Sequence, residues 1–309
     1  MSAGDHREIG DVAGFGEPVL EKPLFSVIIP TYDQRLLPEA VSSVLAQRIA
    51  DLECIVVDDA SPSPVGGFAD SRVTVVRRDR QGGPAAARNT GLRLARGRYV
   101  CFLDDDDLYT PDRLNLALEG LQRAPVSVCW AGDPTGAVAR RPELEGDLSD
   151  VILNRTPPPV GTAALERAVA PFFDERFGAA EDMEWWLRVA QAARITTVRR
   201  IGYLIRAHSG PPYWNVLGRT GRLYYQLLIL QTHRSYFVDH PRAAAYQWTR
   251  VGLLARKLGD RSLARRALWR ALAHQPQAKT VWHLALSLGF SRAQEVELAE
   301  LLRDAMGSG

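Results

Sequence analysis

The chain has 309 residues, of which 46% are hydrophobic and 24% are charged, an ordinary composition for a globular protein with a full core. Its net charge of +2 gives no reason to expect bulk electrostatic attraction to nucleic acid or to an anionic membrane, and we predict no nucleic-acid partner. The three cysteines lack the spacing of metal ligands, which predicts reduced, buried thiols and a cytoplasmic location.

Changes in composition along the chain predict three regions. Residues 1–22 are polar and glycine-rich and lack the apolar core of a signal peptide, so we predict a flexible leader. Residues 23–214 alternate strand-like and helix-like patterns, which predicts one wound domain. Residues 215–309 show only helical periodicity, and we interpret them as a packing appendage or a surface for protein contact or oligomerisation. No apolar run approaches the length needed to cross a bilayer.

Short apolar, partly β-branched runs predict four strands in the first third of the chain, at 25–30, 52–57, 72–76 and 98–103. Apolar residues at helical spacing follow the first strand, and Pro84 suits the first turn of a helix that precedes the fourth. Later patterns predict a strand at 125–130, a helix at 181–190 and a strand at 195–206. This alternation predicts an α/β fold with a wound, mostly parallel sheet flanked by helices.

Four consecutive carboxylates, Asp104 to Asp107, follow the fourth predicted strand. They repel one another unless a cation or hydrogen-bond donors face them, and open α/β sheets place their ligands at the carboxyl ends of strands. The first and second predicted strands also end in polar residues, including Thr31, Tyr32 and Asp59. Right-handed crossovers bring these ends to one edge, so we expect a single crevice that binds a cation or a ligand. The alternative is a solvated acidic loop.

Five motifs in this chain resemble those of family 2 glycosyltransferases, which have the GT-A fold. They are Ser-Val-Ile-Ile-Pro-Thr-Tyr at 26–32, Val-Val-Asp-Asp-Ala-Ser at 56–61, Gly-Gly-Pro-Ala-Ala-Ala-Arg-Asn-Thr-Gly at 82–91, Phe-Leu-Asp-Asp-Asp-Asp at 102–107, and Glu-Asp before Trp-Trp-Leu-Arg at 181–188. The resemblance implies an inverting, metal-dependent transferase that moves a sugar from a nucleoside diphosphate donor to an acceptor hydroxyl.

The resemblance also implies where the donor binds. Pro30, Thr31 and Tyr32 would lie beside the base, with the Tyr32 ring available for stacking. Asp59 would accept a hydrogen bond from the base; the alternative is a turn residue that caps the next segment. Arg88 would contact the acidic run or a phosphate, unless it is an ordinary surface arginine. UDP is the commonest carrier in the family and is therefore expected here, with dTDP and GDP left open.

Within the acidic run, the family's DXD pattern makes Asp104 and Asp106 the paired carboxylates. It implies that Asp104 or Asp105 contacts the ribose and that Asp106 ligates the metal. Carboxylate oxygens suit Mg²⁺ or Mn²⁺. His208 follows the last predicted strand and is a candidate further ligand, which would favour Mn²⁺; the alternative is a structural histidine.

Asp182 is the general base that the resemblance implies. It would take the proton from the acceptor hydroxyl as that oxygen attacks the anomeric carbon, which inverts the configuration. Burial or the neighbouring Glu181 would raise its pKa toward neutrality. The alternative is that the two acids only favour the first turn of a helix. Trp185 and Trp186 are expected either to wall a sugar site or to lie in the core.

Two other functions are compatible with parts of the pattern. A sugar-nucleotidyltransferase would carry a glycine-rich, basic loop directly after the first strand, and Pro30-Thr-Tyr-Asp-Gln does not resemble one. A non-catalytic nucleotide-sugar-binding scaffold would lack the acidic pair or the base, and both are present. The segment 131–159 is rich in Gly, Pro and Arg, and we expect it to be a loop that shapes a substrate pocket.

Overall fold

The fold is that of a computed structural model, which describes residues 22–33, 35–144, 157–178, 180–206 and 218–276, together with Thr280, His283 and Leu284. The predicted leader up to residue 21, His208 and residues 285–309 lie outside the described residues. So do residues 145–156, which belong to the segment 131–159 that is predicted to be a loop.

Nine strands of the described residues form one sheet. In chain order they are β1 (Phe25–Thr31), β2 (Leu52–Asp58), β3 (Val73–Arg77), β4 (Tyr99–Phe102), β5 (Leu108–Tyr109), β6 (Val126–Gly132), β7 (Val138–Arg140), β8 (Ala163–Glu166) and β9 (Ile195–Leu204). Their order across the sheet is β3-β2-β1-β4-β8-β6-β9-β5, with β7 paired to β6. The six strands predicted from the sequence correspond to β1 to β4, β6 and β9.

The sheet is mixed, although the sequence predicted a mostly parallel one. The pairs β1–β2, β1–β4, β2–β3 and β6–β9 are parallel. The strands β5, β7 and β8 run antiparallel to their neighbours. These three strands have two to four residues each, too few for an alternating hydrophobic pattern to be recognised. The prediction of a wound α/β sheet flanked by helices is otherwise confirmed.

Eight α-helices accompany the sheet within the described residues. Four lie in the first two thirds of the chain: α1 (Leu37–Leu45), α2 (Gly83–Leu94), α3 (Arg113–Leu121) and α4 (Glu181–Ala192). The other four form the predicted helical C-terminal region: α5 (Gly218–Thr232), α6 (Arg234–Asp239), α7 (Pro241–Lys257) and α8 (Arg261–His274). A proline occupies the first turn of α1, α2 and α7, where its missing N–H costs no hydrogen bond. None of the described helices is both long enough and apolar enough to cross a bilayer.

Side chains of β1 alternate between the two faces of the sheet and contribute to a core on each side. Ile28 packs in one core with Phe102 and Trp185. Val27 and Ile29 pack in the other, against α1 and α3. Every residue of β1 is buried, which explains why its sequence is mostly apolar.

A third core joins α4 to the helical C-terminal region. It includes Phe177, Met183 and Leu187 from around α4, packed with Ile229 of α5 and Ala243 of α7. The helix that carries the candidate base is therefore held by both the sheet and the C-terminal helices. The domain boundary between residues 214 and 215 stays a prediction.

Candidate active site

The carboxyl ends of β1, β2 and β4 share one edge of the sheet, because β1 pairs in parallel with both of the other strands. Thr31 ends β1, Asp58 ends β2, and the acidic turn follows β4. The structure thus brings the predicted donor-side residues and the acidic run to one edge, as parallel pairing requires.

Asp104 and Asp107 of the acidic turn accept hydrogen bonds from residues on other elements. Asp104 accepts a hydrogen bond from Arg88 Nη2 at 2.7 Å and lies 3.3 Å from the hydroxyl of Tyr203. Asp107 is buried and accepts from the Tyr203 hydroxyl at 2.6 Å and from the Arg206 N–H at 2.8 Å. Asp107 therefore anchors the turn to the end of β9, while Asp104 connects it to α2.

Asp105 points toward the end of β1. Burial raises its pKa to about 7, and the charges of Asp106 and Asp104 add to that effect. The hydroxyl of Thr31 and the N–H of Tyr32 act in the opposite direction. Burial likewise raises the pKa of Asp107 to about 7, helped by the charges of its neighbours. Burial and the repulsion between neighbouring carboxylates thus both favour the neutral forms of Asp105 and Asp107.

Asp59, which is predicted to bind the base, is more heavily engaged in hydrogen bonds than the sequence predicts. Its carboxylate accepts hydrogen bonds from the N–H groups of Gly82 and Gly83, at 3.0 and 2.7 Å, and pairs with Arg78. It therefore caps the amino end of α2 rather than the segment that follows it. Asp59 thus acts as a cap, although not of the segment that the alternative named, and its carboxylate retains lone pairs for a further hydrogen-bond donor.

The three predicted residues at the end of β1 differ in exposure. Pro30 and Thr31 are buried, whereas 45% of Tyr32 is exposed. Tyr32 is therefore the one of the three whose ring is open to a ligand. The neighbouring Asp58 is buried, and hydrogen bonds from the N–H groups of Ser61 and Val65 outweigh its burial and lower its pKa.

Arg88 is buried and joins the acidic turn to the amino end of α4. Its Nη2 donates to Asp104, and its Nη1 donates to Glu181 at 3.2 Å. Only 7% of the Arg88 side chain is exposed. Arg88 is therefore not an ordinary surface arginine, and it is not open to contact a phosphate. Of the predicted roles, contact with the acidic run is the one that the structure shows.

Asp182 lies in the first turn of α4, beside the Arg88–Glu181 pair. One of its oxygens accepts from the N–H of Met183 at 2.7 Å, and no residue in the described part of the chain hydrogen bonds the other. Burial raises the pKa of Asp182; the Met183 N–H and Arg88 oppose this, and Asp104 reinforces it. Burial also raises the pKa of Glu181, and the Asp182 charge adds to it against the effect of Arg88.

Trp185 and Trp186 do not wall a sugar site, so that interpretation is wrong. Both side chains are fully buried, and their indole N–H groups donate to the carbonyls of Pro171 and Pro158. The Trp185 ring stacks on Phe173 with ring centroids 5.1 Å apart. The alternative, that they lie in the core, is confirmed.

Three site residues were not predicted: Arg78, Tyr203 and Arg206. Arg78 directly follows β3, so the polar-strand-end criterion used for Asp59 would also have found it. Tyr203 and Arg206 contact the acidic turn from about a hundred residues away, and no local pattern could pair them. Arg206 also pairs with Glu39 of α1, which ties the turn to a fourth element.

The described residues contain no group of three or more His, Cys, Asp or Glu side chains placed as a complete metal site. Mg²⁺ commonly takes one or two protein carboxylates and completes its shell with substrate phosphates and water. Asp104 and Asp106 offer such carboxylates in a turn where neighbouring carboxylates repel one another. The residues present therefore fit a divalent cation that binds together with a phosphate-bearing ligand.

Comparison with known proteins finds similar sequences for the part of the chain that forms this sheet edge. Residues 26–144 match the model of Glycosyl transferase family 2. The succinoglycan biosynthesis protein ExoW of Rhizobium meliloti is 40% identical over 117 residues, which cover 34% of this chain and 36% of ExoW. A glucosyltransferase of Escherichia coli, UDP-Glc:alpha-D-GlcNAc-diphosphoundecaprenol beta-1,3-glucosyltransferase WfgD, is 27% identical over 184 residues, which cover 57% of this chain and 73% of WfgD.

Solved structures share the fold. S. aureus TarS 1–349 in complex with UDP-GlcNAc superposes with a TM-score of 0.53 at 20% identity, over 85% of this chain and 90% of that one. The mannosyltransferase PcManGT from Pyrobaculum calidifontis, in complex with GDP-Man and Mn²⁺, gives a TM-score of 0.51 at 19% identity. The superposition covers 94% of this chain and 89% of PcManGT. The predicted GT-A-type sheet with a helical C-terminal region is thereby confirmed. The match to ExoW spans little more than a third of that relative.

Proposed function

We propose that the protein is an inverting family 2 glycosyltransferase that moves a sugar from UDP to an acceptor hydroxyl, and the match of residues 26–144 to the family model supports this. One observation carries the proposal: Arg88 bonds both Asp104 of the acidic turn and Glu181 beside Asp182. The groups proposed to hold the donor and to activate the acceptor are thereby joined in one cluster around a buried arginine.

We propose that the nucleobase of the donor binds at the edge formed by β1, β2 and β3. The exposed ring of Tyr32 offers a stacking surface, and Asp59 offers an acceptor for a base N–H. Pro30 and Thr31 would lie beside the base together with Tyr32, and Arg78 would position Asp59, with which it pairs. UDP is supported by the solved complexes of TarS with UDP and with UDP-GlcNAc, and by the donor in the name of WfgD.

Asp104 or Asp105 would contact the ribose, and Asp106 would hold a divalent metal, with His208 as a further candidate ligand. When bound, Mn²⁺ or Mg²⁺ would supply positive charge that stabilises the diphosphate as it leaves. Tyr203 and Arg206 would keep the turn in place by holding Asp107. The Mn²⁺ complex of PcManGT supports a divalent ion in this family's fold.

Asp182 would act as the general base. Its unoccupied oxygen would accept the proton of the acceptor hydroxyl while that oxygen bonds to the anomeric carbon and the bond to the UDP oxygen breaks. A single displacement of this kind inverts the anomeric configuration. The raised pKa of Asp182 suits the role, because a base with a higher pKa accepts a proton more readily.

We further propose that residues 23–214 form the catalytic domain and that residues 215–309 form a helical region. The acceptor is assigned only as a hydroxyl-bearing molecule, and a cytoplasmic location stays a prediction.

Titration calorimetry with UDP, GDP and dTDP, each with and without Mn²⁺, tests the donor assignment. We expect UDP to bind most tightly and to bind at least tenfold more tightly with Mn²⁺ present. Asp106→Ala should remove the gain in UDP affinity that Mn²⁺ gives. Asp112→Ala should keep that gain, because this exposed carboxylate lies eight residues from Asp104. Equal affinity of Asp106→Ala and wild type for UDP with Mn²⁺ would disprove the metal assignment. Tighter binding of GDP than of UDP would disprove the assignment of uracil as the donor's nucleobase.

A further inference from the structure

The helix α8 has one fully exposed face that is basic along its whole length. Exposed positions recur in pairs four residues apart, as expected for one side of a helix: 261, 262, 265, 266, 269, 270, 273 and 274. The charged and aromatic members of this set are Arg261, Arg265, Arg266, Trp269, Arg270 and His274. The opposite side, which includes Ala264 and Leu268, is buried against α7. We call the exposed set the basic face of α8.

No carboxylate neutralises the basic face among the described residues. None of its four arginines forms an ion pair there; Arg266 donates to the hydroxyl of Ser262, and Arg270 lies over the ring of Trp248 at 4.6 Å. Residues 218–276 carry eleven Arg and Lys residues but only two acids, Asp239 and Asp260. Asp260 is already engaged, since it caps α8 by accepting from the Leu263 N–H.

The charge of the whole chain conceals this distribution. A net charge of +2 gave no reason to expect attraction to a polyanion, yet positive charge is concentrated in the helical region and negative charge in the rest. Attraction to a charged surface depends on the local patch rather than on the total.

Trp269 lies in the middle of the basic face, with 61% of its surface exposed. It is flanked by Arg265, Arg266 and Arg270 on the same side of the helix. A tryptophan so placed leaves a large apolar ring in water unless something covers it. Indole rings favour the interface between lipid headgroups and acyl chains, and arginines favour anionic headgroups.

We infer that the basic face of α8 docks the protein on an anionic phospholipid bilayer, with the helix parallel to the membrane surface and Trp269 in the interface. The combination of charge and an exposed indole favours a lipid surface over a dissolved polyanion, because a polyanion would satisfy the arginines but leave the indole in water. This docking would place the proposed transferase at a membrane without requiring a spanning helix.

Co-sedimentation of the full chain with vesicles tests the inference. Vesicles of phosphatidylcholine alone are compared with vesicles containing 30% phosphatidylglycerol, each over a range of NaCl concentrations. We expect binding only to the anionic vesicles, weakening as salt rises. Each lost arginine should weaken binding about fivefold, so Arg265→Ser with Arg266→Ser should cost at least tenfold. Trp269→Ser should also weaken binding severalfold, and the fluorescence of wild type should shift to the blue when vesicles are added.

Matched control variants test whether losing exposed arginines or an exposed aromatic ring elsewhere on the protein also weakens vesicle binding. Arg123→Ser with Arg140→Ser removes two exposed arginines from the sheet domain, and Phe172→Ser removes a ring that is 49% exposed there. Both controls should bind vesicles like wild type. The inference is overturned if wild type ignores anionic vesicles, if the controls lose binding equally, or if Trp269→Ser keeps full binding while soluble polyphosphate binds as tightly as the vesicles do.

Discussion

Arg88 and Glu181 form a buried ion pair that links two helices 93 positions apart in the chain. The same guanidinium holds Asp104, so Arg88 fixes the distance between the acidic turn and the amino end of α4. Replacement by Gln would leave Glu181 buried without a cationic partner. We expect Arg88→Gln to lower the free energy of unfolding by about 3 kcal/mol, measured by urea denaturation, and to reduce kcat/KM in the remaining folded protein.

Arg48 provides the matched comparison, since it pairs with Asp112 on the surface, where both side chains are largely exposed. Arg48→Gln should change the free energy of unfolding by less than about 1 kcal/mol. Equal effects of the two substitutions would contradict a positioning role for Arg88. Arg88→Lys should recover part of the stability but less of the activity, because one ammonium group cannot reproduce the two directed contacts.

Asp182→Asn keeps the shape of the proposed base but removes its ability to take a proton. We expect kcat to fall by about 10²- to 10⁴-fold, the usual contribution of general base catalysis, while the affinity for UDP measured by calorimetry is unchanged. The control is Asp174→Asn, at a carboxylate that pairs with exposed Arg176 seven residues before α4. Near-normal turnover of Asp182→Asn would place the base elsewhere.

The pH dependence of kcat/KM should show the raised pKa of Asp182. The base must be ionised, so activity should fall about tenfold for each pH unit below its pKa, and the midpoint should lie above the ordinary value of about 3.9 for Asp. Unfolding would not mimic this loss. Asp58 has a lowered pKa, so the stability that it contributes is present above its unfolded pKa and is lost only as pH falls through the lowered value. A circular dichroism titration should therefore show intact structure over the pH range in which kcat/KM falls. If kcat/KM stayed constant down to pH 4, the assignment of Asp182 as the base would be contradicted.

The sequence predicted the parts of this site that follow one another along the chain. Tyr32, Asp59 and the acidic run each follow a recognisable strand, and parallel pairing brings strand ends together. It did not predict that Asp59 caps α2, because that contact spans more than twenty residues of loop and strand. Tyr203 and Arg206 are further from their partners still, and their role depends on an antiparallel pairing of β9 with the two-residue β5.

Tryptophans 185 and 186 illustrate a different limit. Adjacent helical positions point about 100° apart, so the two side chains are not expected to face one ligand together. Both could still be buried, because α4 lies between the sheet and the C-terminal helices and is covered on more than one side. Helical periodicity indicates which residues share a face, but the number of covered faces depends on the complete fold.

Gly161 offers a test of the way in which the acidic turn is held. A Cβ at this position would lie 2.0 Å from the ring of Tyr203, whose hydroxyl bonds Asp107. Gly161→Ala must displace that buried ring, so we expect a loss of about 1–3 kcal/mol in the free energy of unfolding, together with weaker UDP binding by calorimetry. Gly66→Ala is the matched control, because a Cβ there meets nothing within 4 Å, and its effect should stay within about 0.5 kcal/mol. If Gly161→Ala lost stability but bound UDP as tightly as wild type, the position of Tyr203 would not control the acidic turn.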